Sequence, residues 1–142
     1  MAESEATAAT LLVADDDPAV RESLERVLTR EGYDVVLAPD GQAALERLQG
    51  GGIDLVLSDL KMPGLTGLEL LPKAKAVAPD VDFIMLTAFG TVEEAVKAMK
   101  DGAADFLTKP FQRAQLIKVV RQALERRTLI AQNKALQQRL DG

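Results

Sequence analysis

The chain has 142 residues, 47% hydrophobic and 27% charged, which is the size and composition of one globular domain. It contains no cysteine and no histidine, which excludes disulfides, thiol nucleophiles, thiolate or imidazole metal ligands and phosphohistidine chemistry on this chain. The net charge of −5 is unevenly distributed: residues 111–142 carry seven basic against two acidic residues, and the remainder carries 10 against 20. An acidic body argues against direct binding of nucleic acid by this chain.

The N-terminal residues 1–9 are acidic and rich in Ala and Thr, without the basic start and apolar stretch of a signal peptide. We expect them to form a short disordered lead. The longest apolar runs are far shorter than the roughly 20 residues that a membrane-spanning helix needs. The sequence therefore predicts a cytoplasmic protein without a membrane anchor.

Five short apolar runs, each bounded by polar or turn residues, are typical of strands buried on both faces. In chain order these runs are 11–14, 34–38, 54–59, 82–87 and 104–108. Segments with helical periodicity lie between them, and a last helix is expected from near Gln112 towards the C-terminus. Five strands alternating with five helices predict an α/β domain with a parallel sheet covered on both faces.

Two helix starts carry clear capping signals. Asp17 precedes Pro18, which is the pattern of an N-cap followed by proline at the first helical position. Thr91 and Glu94 have the T-x-x-E spacing of a capping box, and we expect the helix that they open to run through Met99. These signals support the assignment of the intervening segments as helices.

Polar side chains stand at the carboxyl ends of four predicted strands. They are, in chain order, Asp15 and Asp16 after the first strand, Asp59 on the third, Thr87 on the fourth and Lys109 after the fifth. Open α/β sheets bind ligands outside the carboxyl ends of their strands. In a sheet of order 2-1-3-4-5, a common order of doubly wound sheets, these side chains would line one crevice.

The residue types at this crevice favour phosphoryl chemistry. Three carboxylates facing one another repel, and oxygen-only donors without soft ligands favour Mg²⁺ as the compensating cation. Beside a metal, Asp59 could attack phosphorus and form an aspartyl phosphate. Lys109 and Thr87 could then each contact a phosphoryl oxygen. Taken singly, each residue has an ordinary explanation as a cap, turn or surface residue, so the prediction depends on their joint placement.

Four stretches together resemble the receiver domains of two-component response regulators. They are LLVADDDPAVRESL, DLVLSDLKMPGLTGLELL, IMLTAFG and GAADFLTKPF, and the resemblance covers nearly all of residues 10–124. It implies a flavodoxin-like (βα)5 receiver fold with strand order 2-1-3-4-5 and an extended C-terminal helix. It also implies a phosphorylation-activated signalling domain that accepts a phosphoryl group from a sensor histidine kinase. Such a domain is not an enzyme beyond self-catalysed phosphotransfer and autodephosphorylation.

The resemblance also implies roles for the acidic residues. Asp59 would be the phosphoacceptor. Asp16 would bind Mg²⁺ directly, Asp15 would act partly through water, and Asp59 and the backbone carbonyl of Lys61 would complete the protein ligands. Lys61 also holds a position that tunes the phosphoryl lifetime in relatives.

A second set of roles concerns the switch. By resemblance, Thr87 would be the switch hydroxyl, Phe106 the switch aromatic, and Lys109 the lysine that pairs with the phosphoryl group. A cis peptide bond is expected at Lys109–Pro110. Phe89 holds another position that tunes the lifetime. The helix that Thr91 opens, the fifth strand and the last helix would form the output face.

The segment AFGTVEEAVKAMKDGAADFLTKPF, followed by a long charged helix, resembles receivers of the NtrC class. These regulate σ54-dependent transcription through an AAA+ ATPase domain, so transcription regulation is the implied output and we expect this chain to stop before its effector domain. Residues 125–142 are predicted to be a helical linker. Its Leu129, Asn133, Leu136 and Leu140 have the spacing of a short coiled-coil seam that favours a parallel homodimer, and the alternative is a frayed amphipathic helix end.

Three other functions remain as alternatives. A phosphatase like the haloacid dehalogenases would need a second Asp two residues after the nucleophile, where this chain has Lys61. A receiver used only for dimerisation, without phosphorylation, is disfavoured by the acidic pair and Lys109. A flavodoxin-like FMN carrier is disfavoured because no Ser/Thr-rich phosphate loop follows the first strand.

Overall fold

The computed structural model describes residues 8–88 and 91–126. The elements are β1 Thr10–Ala14, α1 Pro18–Arg30, β2 Asp34–Ala38, α2 Gly41–Gln49, β3 Leu55–Asp59, α3 Gly67–Val77, β4 Asp82–Thr87, α4 Val92–Lys100 and β5 Asp105–Thr108. A further helix, α5, covers residues 113–126. The strands form one sheet of order β2-β1-β3-β4-β5 in which every pair is parallel. The predicted α/β fold with order 2-1-3-4-5 is confirmed.

The central strand β3 is buried on both faces, which explains its uninterrupted apolar run. Leu55, Val56 and Leu57 are all fully buried. Val56 packs in a cluster with residues of α2, α3 and α4, whereas Leu55 and Leu57 pack in a second cluster with residues of α1 and α5. Burying one such side chain contributes about 1.5–3 kcal/mol, so both helix layers hold this strand in place.

The predicted helix caps are present. The Asp17 side chain accepts a hydrogen bond from the Ala19 N–H at 2.9 Å, and Pro18 begins α1. Thr91 and Glu94 form both hydrogen bonds of the capping box. Each cap satisfies N–H groups that the first turn of a helix leaves without a partner.

Sequence reasoning missed a second capping box and misplaced four boundaries by one residue, two of them at the starts of β1 and β3, which are Thr10 and Leu55. Thr66 and Glu69 form this box at the start of α3, and their T-x-x-E spacing is visible in the sequence. Helix α4 extends to Lys100, and β5 begins at Asp105. Shifts of one residue are ordinary, because helix and strand ends fray.

Some predicted features lie outside the described residues. These are most of the N-terminal lead, Phe89, and the seam residues Leu129, Asn133, Leu136 and Leu140. Residues 125 and 126 continue α5. No helix within residues 8–88 and 91–126 is long and apolar enough to cross a membrane.

Strand register brings the polar strand ends to one edge of the sheet. Ala14 pairs with Ser58, so that the next residues, Asp15 and Asp59, follow from neighbouring positions on β1 and β3. On the other side of β3, Asp59 pairs with Leu86, and Thr87 ends β4. Parallel strands bring their carboxyl ends to the same edge, as the sequence argument assumed.

Gly67, the first residue of α3, packs directly against the backbone after β3. A Cβ at this position would overlap the carbonyl oxygen of Asp59 and lie 2.8 Å from Met85 Sδ and 3.0 Å from Leu60 Cα. The Gly67 N–H also donates to the Leu60 carbonyl at 3.0 Å. The absence of a side chain therefore lets the start of α3 touch the strand that carries Asp59.

We expect Gly67→Ala to lower the free energy of unfolding by about 1–3 kcal/mol, because the added methyl group overpacks a site bounded by backbone. Chemical denaturation followed by circular dichroism measures this. The control is Gly50→Ala, since Gly50 has a φ of −77° and its added Cβ would lie 3.3 Å from the Arg47 carbonyl oxygen. Equal stability of the wild type and Gly67→Ala would contradict the close packing.

Candidate functional site

Asp59 ends the buried strand β3, and only 9% of its surface is exposed. Its Oδ1 accepts a hydrogen bond from the Lys61 backbone N–H at 3.2 Å. The buried Ser58 hydroxyl donates to the Asp59 backbone carbonyl at 3.0 Å. The strand, the turn after it and Gly67 therefore fix the backbone of Asp59, while its carboxylate faces the crevice.

Two further carboxylates lie beside Asp59. Asp15 is fully buried, whereas Asp16 is exposed. Each of the three residues offers a carboxylate oxygen, and these atoms lie within 4.8 Å of one another. The Asp17 N–H donates to Asp15 Oδ1 at 2.9 Å, and Arg21 Nη1 donates to the Asp15 backbone carbonyl at 2.6 Å. The predicted acidic group is therefore brought together at the carboxyl ends of β1 and β3.

Lys109, which follows β5, approaches these carboxylates from the side of β3 opposite to β1. Its Nζ lies 2.7 Å from Asp15 Oδ2 and 3.3 Å from Asp59 Oδ2. Its backbone N–H donates to the Thr87 carbonyl at 2.7 Å, which fixes where the side chain starts. The Lys109–Pro110 peptide bond is cis, as expected. The residue that sequence reasoning took from the fifth strand thus contacts both buried carboxylates.

Burial and the neighbouring charges together shift the pKa of Asp59 and of Lys109. Burial raises the pKa of Asp59, and the repulsion from Asp15 adds to this, although Lys109 and the Lys61 N–H act in the opposite direction. Burial alone would lower the pKa of Lys109, but its hydrogen bond to Asp15 and the charges of Asp15 and Asp59 outweigh it, so the pKa of Lys109 is raised. Lys109 therefore remains an ammonium, and a carboxylate at Asp59 is held in place against an electrostatic cost.

The two predicted switch residues lie on neighbouring strands. Thr87 ends β4 and is 1% exposed. Phe106 lies on β5, opposite Met85 of β4, and its partly buried ring packs against the core cluster beneath α2, α3 and α4. Thr87 thus lies at the carboxyl edge of the sheet beside Asp59, whereas Phe106 lies one strand further away, on β5.

Sequence reasoning missed the ion pair between Lys61 and Glu94, which connects the site to α4. Lys61 Nζ lies 3.4 Å from Glu94 Oε2, so that the turn after β3 is joined to the first turn of α4. Both residues carried signals in the sequence, Lys61 as the second residue after Asp59 and Glu94 as part of a capping box. Nothing in their spacing of 33 positions along the chain could indicate that they meet.

The arrangement suits a hard divalent cation and a phosphoryl group. The donors near Asp59 are carboxylate oxygens, the ligand type that Mg²⁺ prefers. Lys109 supplies one positive charge among three carboxylates, which leaves a net negative site. Asp59 carries a carboxylate that could act as a nucleophile, within contact distance of an ammonium that could neutralise a phosphoryl oxygen.

Residues 11–121 match the family model described as "response regulator receiver domain". The chain belongs to this family. Membership accounts for the fold and the acidic strand ends together, and it supports neither a haloacid-dehalogenase-like phosphatase nor an FMN carrier.

Several relatives share this similarity. The chain is 41% identical over 128 residues to the transcriptional regulatory protein FixJ of Bradyrhizobium diazoefficiens, covering 90% of this chain and 62% of FixJ. It is 40% identical over 118 residues to the DNA-binding transcriptional regulator NtrC of Rhizobium meliloti, covering 83% of this chain and 24% of NtrC. The solved structure of the beryllofluoride-activated NtrC4 receiver domain dimer matches with a TM-score of 0.79 and 31% identity, covering 83% of this chain and 98% of that one. The chain thus spans less than two thirds of the length of these two curated relatives.

We expect Asp59→Asn to raise the melting temperature by a few degrees at neutral pH in EDTA. Because the pKa of Asp59 is raised in the folded state from its ordinary value of 3.8, ionisation of Asp59 opposes folding. This opposition is complete above the raised pKa and disappears as the pH falls below 3.8, so the gain should shrink on acidification. Thermal unfolding of both proteins at a series of pH values measures it.

The matched control is Asp101→Asn, which removes one negative charge from the exposed Lys97–Asp101 pair at the other end of α4. This variant should show no comparable gain at neutral pH. A loss of stability in Asp59→Asn, or a gain that is independent of pH, would contradict the proposed electrostatic cost.

Proposed function

We propose that this chain is a phosphorylation-activated receiver that takes a phosphoryl group on Asp59 from a sensor histidine kinase in the presence of Mg²⁺. The observation that carries the proposal is the placement of the Asp59 carboxylate among Asp15, Asp16 and the Lys109 ammonium. The kinase, as the partner, and the cytoplasm, as the compartment, follow from the receiver family and belong to the same proposal.

In the proposed step, a carboxylate oxygen of Asp59 attacks phosphorus. A new P–O bond forms as the bond from phosphorus to the leaving group breaks, and the leaving group takes the bonding electron pair. The Asp59 carboxylate needs no general base, because it is already ionised above its pKa. The Lys109 ammonium, 3.3 Å from Asp59 Oδ2, would pair with a phosphoryl oxygen once the adduct forms.

The residues proposed to hold Mg²⁺ are Asp15, Asp16, Asp59 and the backbone carbonyl of Lys61. Their support is the oxygen-only donor set and the closeness of the three carboxylates, which each place an oxygen within 4.8 Å of the others. The metal would supply neutralisation of charge on the phosphoryl oxygens. Of the acidic pair, the exposed Asp16 is proposed to bind the ion directly, and the buried Asp15, which already pairs with Lys109, is proposed to act partly through water.

The proposed output of phosphorylation is a change at the face formed by α4, β5 and α5. Thr87 and Phe106 are proposed as the switch residues, because Thr87 ends β4 beside Asp59 and Phe106 lies on β5, within the proposed output face. The aspartyl phosphate serves as a signal. The only reactions proposed for the chain are phosphotransfer to itself and autodephosphorylation, because Lys61 stands where a phosphatase would carry its general acid.

We also propose a domain organisation for the longer protein. Residues 1–9 are the lead, proposed to be disordered except at Ala9, whose carbonyl accepts a hydrogen bond from the Asp34 N–H at 3.0 Å and whose side chain packs against the core. Residues 10–124 are the receiver and 125–142 a helical linker. The transcriptional regulators FixJ and NtrC are longer than this chain, which supports an effector that controls transcription. The resemblance to the NtrC class favours an AAA+ ATPase domain, and this chain itself is not proposed to touch nucleic acid.

A homodimer is proposed through the output face and the C-terminal helix. Val92, Val96 and Met99 of α4 are 77%, 47% and 48% exposed and repeat at helical spacing, which gives this face an apolar stripe. The NtrC4 receiver that this chain resembles is described as a dimer. The linker residues Leu129, Asn133, Leu136 and Leu140 would extend the contact as a short coiled coil.

We expect incubation with acetyl phosphate and Mg²⁺ to add one phosphoryl group to the chain, with acetate as the leaving group. The adduct should be absent from Asp59→Asn and strongly reduced when EDTA removes the metal. Intact-mass spectrometry measures the adduct directly.

The control variant Asp101→Asn should be phosphorylated like the wild type, since its carboxylate lies at the far end of α4. An unmodified wild type would contradict the proposal. Substantial Asp59-dependent release of phosphate from a generic phosphate ester would instead favour a phosphatase.

We expect deletion of residues 125–142 to weaken self-association. Sedimentation velocity of the full chain and of the shortened chain, each with and without beryllofluoride and Mg²⁺, measures the oligomeric state. Identical monomeric behaviour of all four samples would contradict the proposed dimer.

A further inference from the structure

Lys61 contacts the site and α4 at the same time. Its backbone N–H donates to Asp59 Oδ1 at 3.2 Å, and its side-chain Nζ lies 3.4 Å from Glu94 Oε2. The backbone of Lys61 thus contacts the Asp59 carboxylate, while its side chain reaches the first turn of α4. No other ion pair of the described residues links the turn after β3 to α4.

Glu94 has two tasks at that turn. Its Oε1 accepts from the Thr91 N–H at 3.1 Å and from the Thr91 hydroxyl at 3.3 Å, which caps α4. Its Oε2 is the atom that faces Lys61. The cap lowers the pKa of Glu94, and the nearby Lys61 charge lowers it further. Glu94 is therefore a fixed negative charge at the start of α4.

The matching residue of α3 has no such link. Glu69 forms the same capping box with Thr66, and no ion pair is found for it among the described residues. The comparison separates the capping task, which both glutamates perform, from the charge contact with Lys61, which belongs to Glu94.

We propose that Glu94 competes with a phosphoryl group on Asp59 for the ammonium of Lys61. This inference rests on the proposed function. Converting the Asp59 carboxylate into an acyl phosphate increases the local negative charge from −1 to about −2. The added charge draws Lys61 towards the site and weakens its contact with Glu94. The state of Asp59 is thereby felt at the first turn of α4, through a side chain that is separate from Thr87 and Phe106.

The pair is suited to this competition because it is weak. The Lys61 side chain is 57% exposed and that of Glu94 is 24% exposed. Pairs exposed to this degree contribute little to stability, so a newly formed charge nearby can displace them. A deeply buried pair would resist such a change because separating it would leave an uncompensated charge.

The test is a double-mutant cycle on the affinity for beryllofluoride, a phosphoryl analogue, at saturating Mg²⁺, measured by calorimetry. Glu94→Gln keeps the capping box, which accepts Glu or Gln, but removes the charge that competes for Lys61. We expect Glu94→Gln to bind beryllofluoride about 2- to 5-fold more tightly at low salt, which is the range that an exposed ion pair can supply. In a Lys61→Met background, Glu94→Gln should change the affinity by less than about 1.5-fold, within the usual error of additivity.

Two controls sharpen the result. Asp101→Asn removes an equal charge from the same helix, at the Lys97–Asp101 pair, and should leave the affinity unchanged. High salt should reduce the difference between Glu94→Gln and the wild type, because exposed pairs are screened. Any damage to the helix cap would appear in both Lys61 backgrounds and would cancel from the cycle.

Equal affinity of Glu94→Gln and the wild type would overturn the inference. The same gain in both Lys61 backgrounds would also overturn it, because the effect would then be one of general charge. A wild type that does not bind beryllofluoride, or an Asp59→Asn variant that binds it equally well, would instead overturn the proposed function on which the inference rests.

Discussion

The ammonium of Lys109 holds the site together. It lies between Asp15 and Asp59 at 2.7 and 3.3 Å, and without it two carboxylates with little solvent around them would face each other unscreened. Its position depends on β5, on the hydrogen bond from its backbone to Thr87, and on the parallel pairing of β4 with β5. The order of the sheet thus allows Lys109, which follows the last strand, to offset part of the negative charge of aspartates on the first and third strands.

The strand ends and the cluster of aspartates at them could be predicted from the sequence because they depend on local patterns. The sheet order is not local, and it was predicted from the resemblance. An apolar run that ends in Asp59 shows both a buried strand and a polar strand end. The Lys61–Glu94 contact could not be predicted in this way, since it depends on how α4 is oriented on the sheet. The degree of burial that separates Asp15 from its neighbour Asp16 is likewise a product of packing.

Family membership identifies the type of domain, whereas the geometry identifies the contacts of individual residues. The family model over residues 11–121 establishes a receiver domain, and relatives such as NtrC and FixJ extend well beyond it. The geometry shows which atoms of this chain meet, including a lysine two residues after Asp59 that points to α4. This contact lies outside the group formed by Asp15, Asp16, Asp59 and Lys109, and family membership alone does not specify it.

Gly67 packs the start of α3 directly against the backbone around Asp59. With no side chain between them, the first turn of α3 and the backbone of Asp59 form one rigid block. Helix α4 begins with the same kind of capping box as α3, but its first turn is joined to the turn after β3 by the exposed Lys61–Glu94 ion pair. The two helices therefore meet the surroundings of Asp59 through different kinds of contact: α3 through close-packed backbone and α4 through one exposed ion pair. Close-packed backbone has little room to adjust, whereas an exposed ion pair can separate at low cost, so a change at Asp59 has a fixed neighbour in α3 and an adjustable one in α4.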